Sequence, residues 1–169
     1  MDMKRWYVMH SNPRKESILY EQLTIRQIES YLPQIRVRRV NPRARKVVPY
    51  FPGYLFIYTE LERVGQSLLN HIPGAIGLVN FGGEPAVVPD YIIQEIRFKV
   101  DLINSHEFSG MGQIKPGDLV KIQDGPFVGY EAIFDTYISG SQRARVLLRL
   151  LKDHQTKLVI STNQLSRPT

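Results

Sequence analysis

Hydrophobic and polar positions divide the chain into short alternating elements. The stretch RWYVMHS, residues 5 to 11, reads as a strand buried enough to hold the only Trp. NPRKES then carries a helix start, with Asn12 as N-cap and Pro13 in the first turn, where a missing N–H would be unpaired anyway. In the helix that follows, Ile18, Ile25, Ile28 and Leu32 recur at spacings of 7, 3 and 4, while Lys15, Gln22, Arg26 and Glu29 occupy the wet side. Pro33 ends this helix, and IRVRRV predicts a basic strand running into the loop NPRARKVVP with Arg43, Arg45 and Lys46. YFPGYLFIYTEL is a turn feeding an apolar strand from Tyr54 to Tyr58, and ERVGQSLLNHI a short helix with Val64, Leu68 and Ile72 on one side. A strand near Ile76 to Val79, the turn NFGGEP, a short strand at Ala86 to Val88 and the helix PDYIIQEIRFKV complete a unit of about a hundred residues.

The order β, α, β, β, α, β, α predicts an α+β domain over residues 1–100, an antiparallel sheet flanked by helices. Residues 101–115 lose periodicity and gather Ser and Gly, the composition of a flexible linker. Residues 116–169 begin with short alternating runs between turn signals: Gly117 and Asp118, then Asp124, Gly125 and Pro126, then Gly129. That spacing predicts a small β-barrel.

One stretch of this second unit fits two periods. In YEAIFDTYI, the residues Tyr130, Ile133, Phe134, Tyr137 and Ile138 form a helical stripe, yet Tyr130, Ala132 and Phe134 also share one face of a strand. After the turn SGS, QRARVLLRLLKDH repeats the ambiguity: Val146, Leu147, Leu150 and Leu151 cluster on a helix, and Val146, Leu148 and Leu150 on a strand. A helical hairpin and a barrel are both written here, as expected where two packings of one sequence differ by only a few kcal/mol.

Composition narrows the class. The chain has 169 residues, 43% of them hydrophobic and 10% aromatic, enough for ordinary cores. There is no cysteine, which excludes disulfides and thiolate metal sites and suits a reducing, cytoplasmic setting. No apolar run approaches the roughly 20 residues of a membrane span, so no membrane association is expected. Residues 1 to 60 hold eleven Lys and Arg against five Asp and Glu, and residues 61 to 169 hold eleven against eleven. All of the net charge of +6 therefore lies in the first third, the footprint of a phosphate-backbone partner or an acidic protein, or simply a solvated face.

Catalytic chemistry is not evident. His10, His71, His106 and His154 have no metal-ligand spacing, FGGEP is a hairpin turn and not a dinucleotide fingerprint, and no phosphate-binding loop, nucleophile elbow or carboxylate pair occurs. No enzyme, cofactor or metal is expected. In YFPGYLFIYTEL both strand faces are apolar, Tyr54, Phe56 and Tyr58 on one and Leu55 and Ile57 on the other. Either one face is an exposed partner site or helices bury both.

With these residues in view the chain resembles the NusG family of transcription elongation factors. WYVMHSNPRKES and YFPGYLF resemble its N-terminal domain, and GDLVKIQDGPFVGYEAIF resembles a KOW motif; together they cover nearly all of residues 5 to 166. Within the family, YFPGYLF, EPAVVP and FVGYEAIF are closest in pattern to the specialised RfaH-type antiterminators. The resemblance implies a non-enzymatic monomer that docks on the clamp helices of the largest RNA polymerase subunit and suppresses pausing. It implies polymerase contacts at His10, Tyr54 and Phe56, and non-template DNA contacts at Arg14, Lys15, Gln22 and Arg26. A KOW domain at 116–169 would recruit a ribosomal small-subunit protein or a termination factor. By likeness to RfaH, it would instead cover the polymerase-binding patch as a helical hairpin, through Tyr130, Phe134, Ile138, Leu147 and Leu150, with Val48 standing where RfaH has an acidic interdomain partner. The alternative is a KOW-containing ribosomal or rRNA-binding structural protein, which would not need YFPGYLF beside an α+β unit.

Overall fold

The computed structural model describes residues 3–36, 47–109, 119–121, 131–133 and 139–165. Its main sheet is antiparallel and is built around β1 (Arg5–Ser11), which pairs along its length with β5 (Tyr54–Thr59). Beyond β5 lies β2 (Glu29–Tyr31); on the other side of β1 lie β6 (Ala75–Leu78) and, at its other end, β9 (Val87–Val88). Two hairpins flank the sheet: β3 (Gln34–Arg36) with β4 (Val47–Pro49), and β7 (Asn80–Phe81) with β8 (Glu84–Pro85). The second turns on Gly82 and Gly83, at φ 59° and 83°, the paired left-handed conformation that a two-residue hairpin loop requires.

Strand periodicity splits the core in two. Trp6 and Val8 of β1 and Phe56 of β5 face α4 (Asp90–Ser109), which contributes Ile92, Ile93, Ile96, Val100 and Ile103. Tyr7, Met9, Leu55 and Ile57 face the other way, onto Leu19 and Leu23 of α1 (Glu16–Ile25) and Leu69 of α3 (Gln66–Asn70). Of the two sequence readings of YFPGYLFIYTEL, the strand is therefore buried on both sides.

Three expectations are corrected. The first helix begins at Glu16, after a turn in which Lys15 N–H donates to the Asn12 carbonyl and Arg14 takes φ 61°. It stops at Ile25, not at Pro33, because Gln27 at φ 59° redirects the chain and Glu29–Tyr31 pairs with the edge of β5. Its buried stripe is Glu16, Leu19 and Leu23, while Ile18 and Ile25 are exposed. Next, Gly65 at φ 90° splits the expected short helix into α2 (Leu61–Val64) and α3, turning Leu69 inward and Leu68 out. Finally, α4 runs to Ser109, nine residues into the stretch expected as linker. Ile96, Val100 and Ile103 continue one apolar stripe there, and the Asn104 side chain accepts from Arg36 N–H and donates to the Gln34 carbonyl, tying the helix to β3.

In the second unit, β10 (Leu119–Lys121) pairs antiparallel with β11 (Glu131–Ile133), and α5 (Gly140–Leu165) is a 26-residue helix. The doubly patterned region is thus extended at Glu131–Ile133 and helical from Gly140 onward, neither a complete helical hairpin nor a barrel among the described residues. Tyr130, Phe134 and Ile138, the turn residues Gly117, Asp118, Asp124, Gly125, Pro126 and Gly129, and the basic Arg43, Arg45 and Lys46 lie outside the described residues.

Candidate functional site

The site is assembled on the sheet face shared by alternate residues of β1 and β5. The register sets Trp6 opposite Tyr58, Val8 opposite Phe56 and His10 opposite Tyr54. Ring contacts follow from it: Trp6 and Tyr58 tilt together at 5.1 Å, and His10 stacks on Tyr54 at 4.6 Å with planes 9° apart. Phe56 is fully buried, with Phe51 edge-on at 6.0 Å and Tyr31 at 6.2 Å. Of the three residues expected to face a partner, His10 and Tyr54 are therefore half-buried at the rim, and Phe56 is core beneath them.

Burial also sets the ionisation of the face. Desolvation holds the His10 imidazole below its ordinary pKa and raises the Tyr54 phenol. Tyr31 is pushed up to about 12 by desolvation, a shift that Arg97 opposes and Asp101 reinforces. The Arg97 guanidinium lies over the Tyr31 ring at 4.3 Å and 5.9 Å from the Trp6 ring, so the far end of the aromatic row is closed by a cation.

At the near end, residues 51–54 turn the chain into β5. Tyr54 N–H donates to the Phe51 carbonyl at 3.0 Å, with Pro52 second in the turn and Gly53 third at φ 87°. Pro with preset φ followed by a left-handed Gly is the requirement of a type II turn.

The helix α5 packs into the core cluster on this side of the sheet. Ala144, Leu147 and Leu151, at i, i+3 and i+7, are buried in the same cluster as Tyr50, Phe51 and Phe56, with Leu150 packed at its edge, and Arg145, Arg149 and Lys152 point outward. Arg143 Nε donates to the Tyr50 carbonyl at 2.8 Å, and its guanidinium lies 4.6 Å from the Tyr50 ring centroid. Gly140 lies so close to the Pro52 ring that a Cβ there would overlap it, and His154 meets the Tyr91 ring edge-on at 6.2 Å.

Of the two periods that QRARVLLRLLKDH fits, the helical one holds for Leu147 and Leu150, and a further signal starts the helix. Gln142 N–H donates to Ser139 Oγ and Ser139 N–H to Gln142 Oε1, both at 3.2 Å. SGSQ is thus a reciprocal capping box, a signal readable as S-x-x-Q where only a turn had been read.

The candidate nucleic-acid residues line one side of α1. Lys15, Gln22 and Arg26 share a helical stripe, with Arg14 in the turn before Lys15, Gln22 roughly 10 Å along the axis from Lys15 and Arg26 roughly 16 Å. Arg26 Nη1 donates to Gln22 Oε1 at 2.7 Å, which orders the guanidinium on the surface. Among the described residues, no three His, Asp or Glu side chains are grouped to hold a metal, and no helix is long and apolar enough to cross a membrane.

Comparisons with known proteins bear on the family of the chain. Residues 4–97 match the family model described as transcription termination factor NusG, which spans more than half of the chain. The chain is 21% identical over 155 residues to the transcription termination/antitermination protein NusG of Yersinia pestis, covering 85% of each. It is 22% identical to that of Pseudomonas aeruginosa, covering 97% of this chain and 98% of the relative. A solved structure described as domain interaction in Thermotoga maritima NusG aligns at 22% identity and a TM-score of 0.46, over 77% of this chain and 78% of that one. The matched family region contains β1, α1, β5 and the start of α4, and the chain belongs to the NusG family of transcription termination and antitermination factors.

Proposed function

We propose that this chain is an elongation and antitermination factor that docks on RNA polymerase, at the clamp helices of the largest subunit, through the sheet face of His10 and Tyr54, and suppresses pausing there. The observation that carries this reading is the seating of α5 on that face, with Leu147 and Leu151 against the cluster that includes Phe56. A hydrophobic face held under a single C-terminal helix is a docking surface kept covered until a partner competes for it. The free chain is then an autoinhibited, cytoplasmic monomer of RfaH type. Release of α5 frees the segment 116–169 to form a KOW barrel that engages a ribosomal small-subunit protein or a termination factor. Arg14, Lys15, Gln22 and Arg26 contact the non-template strand, which recruits the factor to particular operons.

The apparent affinity of such a factor is its intrinsic affinity reduced by the fraction of chains whose face is open. Binding of core RNA polymerase to the full chain, to a Leu147→Asp variant and to the same variant carrying Tyr54→Ala tests this. The first change should strengthen binding and the second remove most of it, since a desolvated aromatic anchor typically carries roughly 2 kcal/mol or more. A Leu147→Asp chain that binds no better than wild type, or that keeps its affinity without Tyr54, refutes the reading.

A further inference from the structure

An acid on the packed face of α1 has no evident part in the core. Glu16, the helix's first residue, is 4% exposed on the stripe it shares with Leu19 and Leu23, where an apolar side chain would serve packing alone. Carboxylates are almost never buried unless partnered, and among the described residues no Lys, Arg or His forms an ion pair with this one. Its partner is a backbone group: Oε2 accepts the Gly53 N–H at 2.9 Å. The Gly53 carbonyl in turn accepts the Ser11 N–H at 2.8 Å, so both polar groups of that peptide unit are held from the β1–α1 segment. At φ 87° Gly53 lies directly under the His10 ring, whose Cδ2 and Nε2 would each be 3.7 Å from a Cβ built there.

We propose that Glu16 is a positioning residue for the docking surface: its buried carboxylate, by holding the Gly53 amide, sets the turn that seats the His10 ring and aims Tyr54. The inference rests on the reading of that face as the polymerase-docking surface. A hydrogen bond to a side chain held on a rigid helix terminus fixes direction as well as distance, which packing by a leucine would not do. The preceding residue of the same turn, Pro52, supports Gly140 of α5, so one carboxylate orients both the surface and the seat of its cover. Lys15 immediately precedes Glu16, which joins the proposed DNA-contacting end of α1 to the same turn.

The test compares Glu16→Gln, Glu16→Asp and Glu16→Ala in the full chain. Gln offers an acceptor at the same reach, Asp retracts it by one methylene, and Ala removes it. Because loosening Pro52 would also loosen α5, polymerase affinities are compared in a Leu147→Ala background. Gln should retain the exchange protection of the Gly53 amide and the ring-current shifts of His10 from Tyr54, and Asp and Ala should lose both. Affinity for core RNA polymerase should fall about tenfold in Asp and Ala and recover in Gln, the size expected for about one hydrogen bond. Gln as defective as Ala overturns the proposal, as do wild-type His10 shifts in all three variants. If Ala fails to fold, the Gln against Asp comparison still decides. Should Tyr54→Ala leave polymerase binding intact, the docking reading fails while the Gly53 and His10 signals still judge the role of Glu16.

Discussion

Leu147 is the side chain through which the docking of α5 is most directly measured. It is 1% exposed in the cluster that holds Phe56, while its neighbour Val146 is 56% exposed. Truncating a buried leucine to alanine costs about 2–5 kcal/mol, the transfer term plus the cavity left behind. Outside α5, the members of that cluster, Trp6, Val8 and Ile92 among them, come from β1, β3, the turn at Tyr50 and Phe51, β5, β9 and α4, and they pack on one another as well as on Leu147. The cost therefore falls on the docking equilibrium of α5 rather than on the sheet. Even the lower figure raises the undocked fraction roughly thirtyfold. Native-state hydrogen exchange read by mass spectrometry resolves this, comparing peptides within 140–154 with those of β1 and β5. In Leu147→Ala, α5 should exchange at least roughly thirtyfold faster with the strands unchanged, and Val146→Ala should stay within about 0.5 kcal/mol of wild type. If the strands accelerate in step with α5, the helix belongs to the same cooperative unit as the sheet and the idea of a removable cover is wrong. An equal response to both substitutions would refute the burial argument itself.

Three further outcomes are expected. Gly140→Ala drives a Cβ into the Pro52 ring, so protection should be lost over the first turns of α5 while the thermal midpoint of the sheet holds; undiminished protection would show that Pro52 yields. Burial keeps the His10 pKa below its ordinary 6.5, so between the lowered value and 6.5 the unfolded chain binds more protons. The stability contribution of His10 is then complete above that window and lost as pH falls through it, and His10→Gln should flatten this part of a denaturant-midpoint against pH profile; an unaltered slope counts against it. Replacing Lys15 or Arg26 with Ala should lower the logarithmic salt slope of single-stranded DNA binding by roughly 0.7 per charge, and slopes that match wild type return both residues to ordinary solvation.

The sequence made the strands more legible than the helices. β1 and β5 announce themselves because their apolar residues are consecutive and aromatic or branched, and Gly82–Gly83 demands its hairpin whatever surrounds it. For α1 the wrong face looked stronger: Ile18 and Ile25 sit seven apart, whereas the true stripe begins with an acid. Glu16 is inside for a hydrogen bond to a turn 37 residues away, which no local period encodes. The end of that helix was hidden likewise, since Glu29–Tyr31 is drawn off to pair with β5 and Gln27 adopts φ 59° without being glycine. In the candidate site, His10, Tyr54 and Phe56 come from the family resemblance; the β1–β5 register that sets His10 opposite Tyr54 has no local signature, and alternation alone does not say how deep Phe56 lies on a shared face.

A sheet with two apolar faces needs two covers, and chain topology decides which one can leave. The face of Tyr7, Met9, Leu55 and Ile57 is covered by α1, between β1 and β5 in the chain, and by α3, between β5 and β6. Neither can depart without dragging on the strands it connects. On the opposite face α4 follows β9 directly and is tied to β3 through Asn104, so it too is fixed. For α5 the situation differs: among the described residues no strand of this sheet follows it, and residues 110–139 separate it from α4. Whether α5 stays is therefore decided at its contact surface, by Ala144, Leu147 and Leu151 and by the hydrogen bond of Arg143 to the Tyr50 carbonyl. Under the proposed docking, a partner that displaces it has to replace the apolar contacts of Ala144, Leu147 and Leu151 and the donor to the Tyr50 carbonyl, a description that fits an α-helical partner better than a flat or purely charged one.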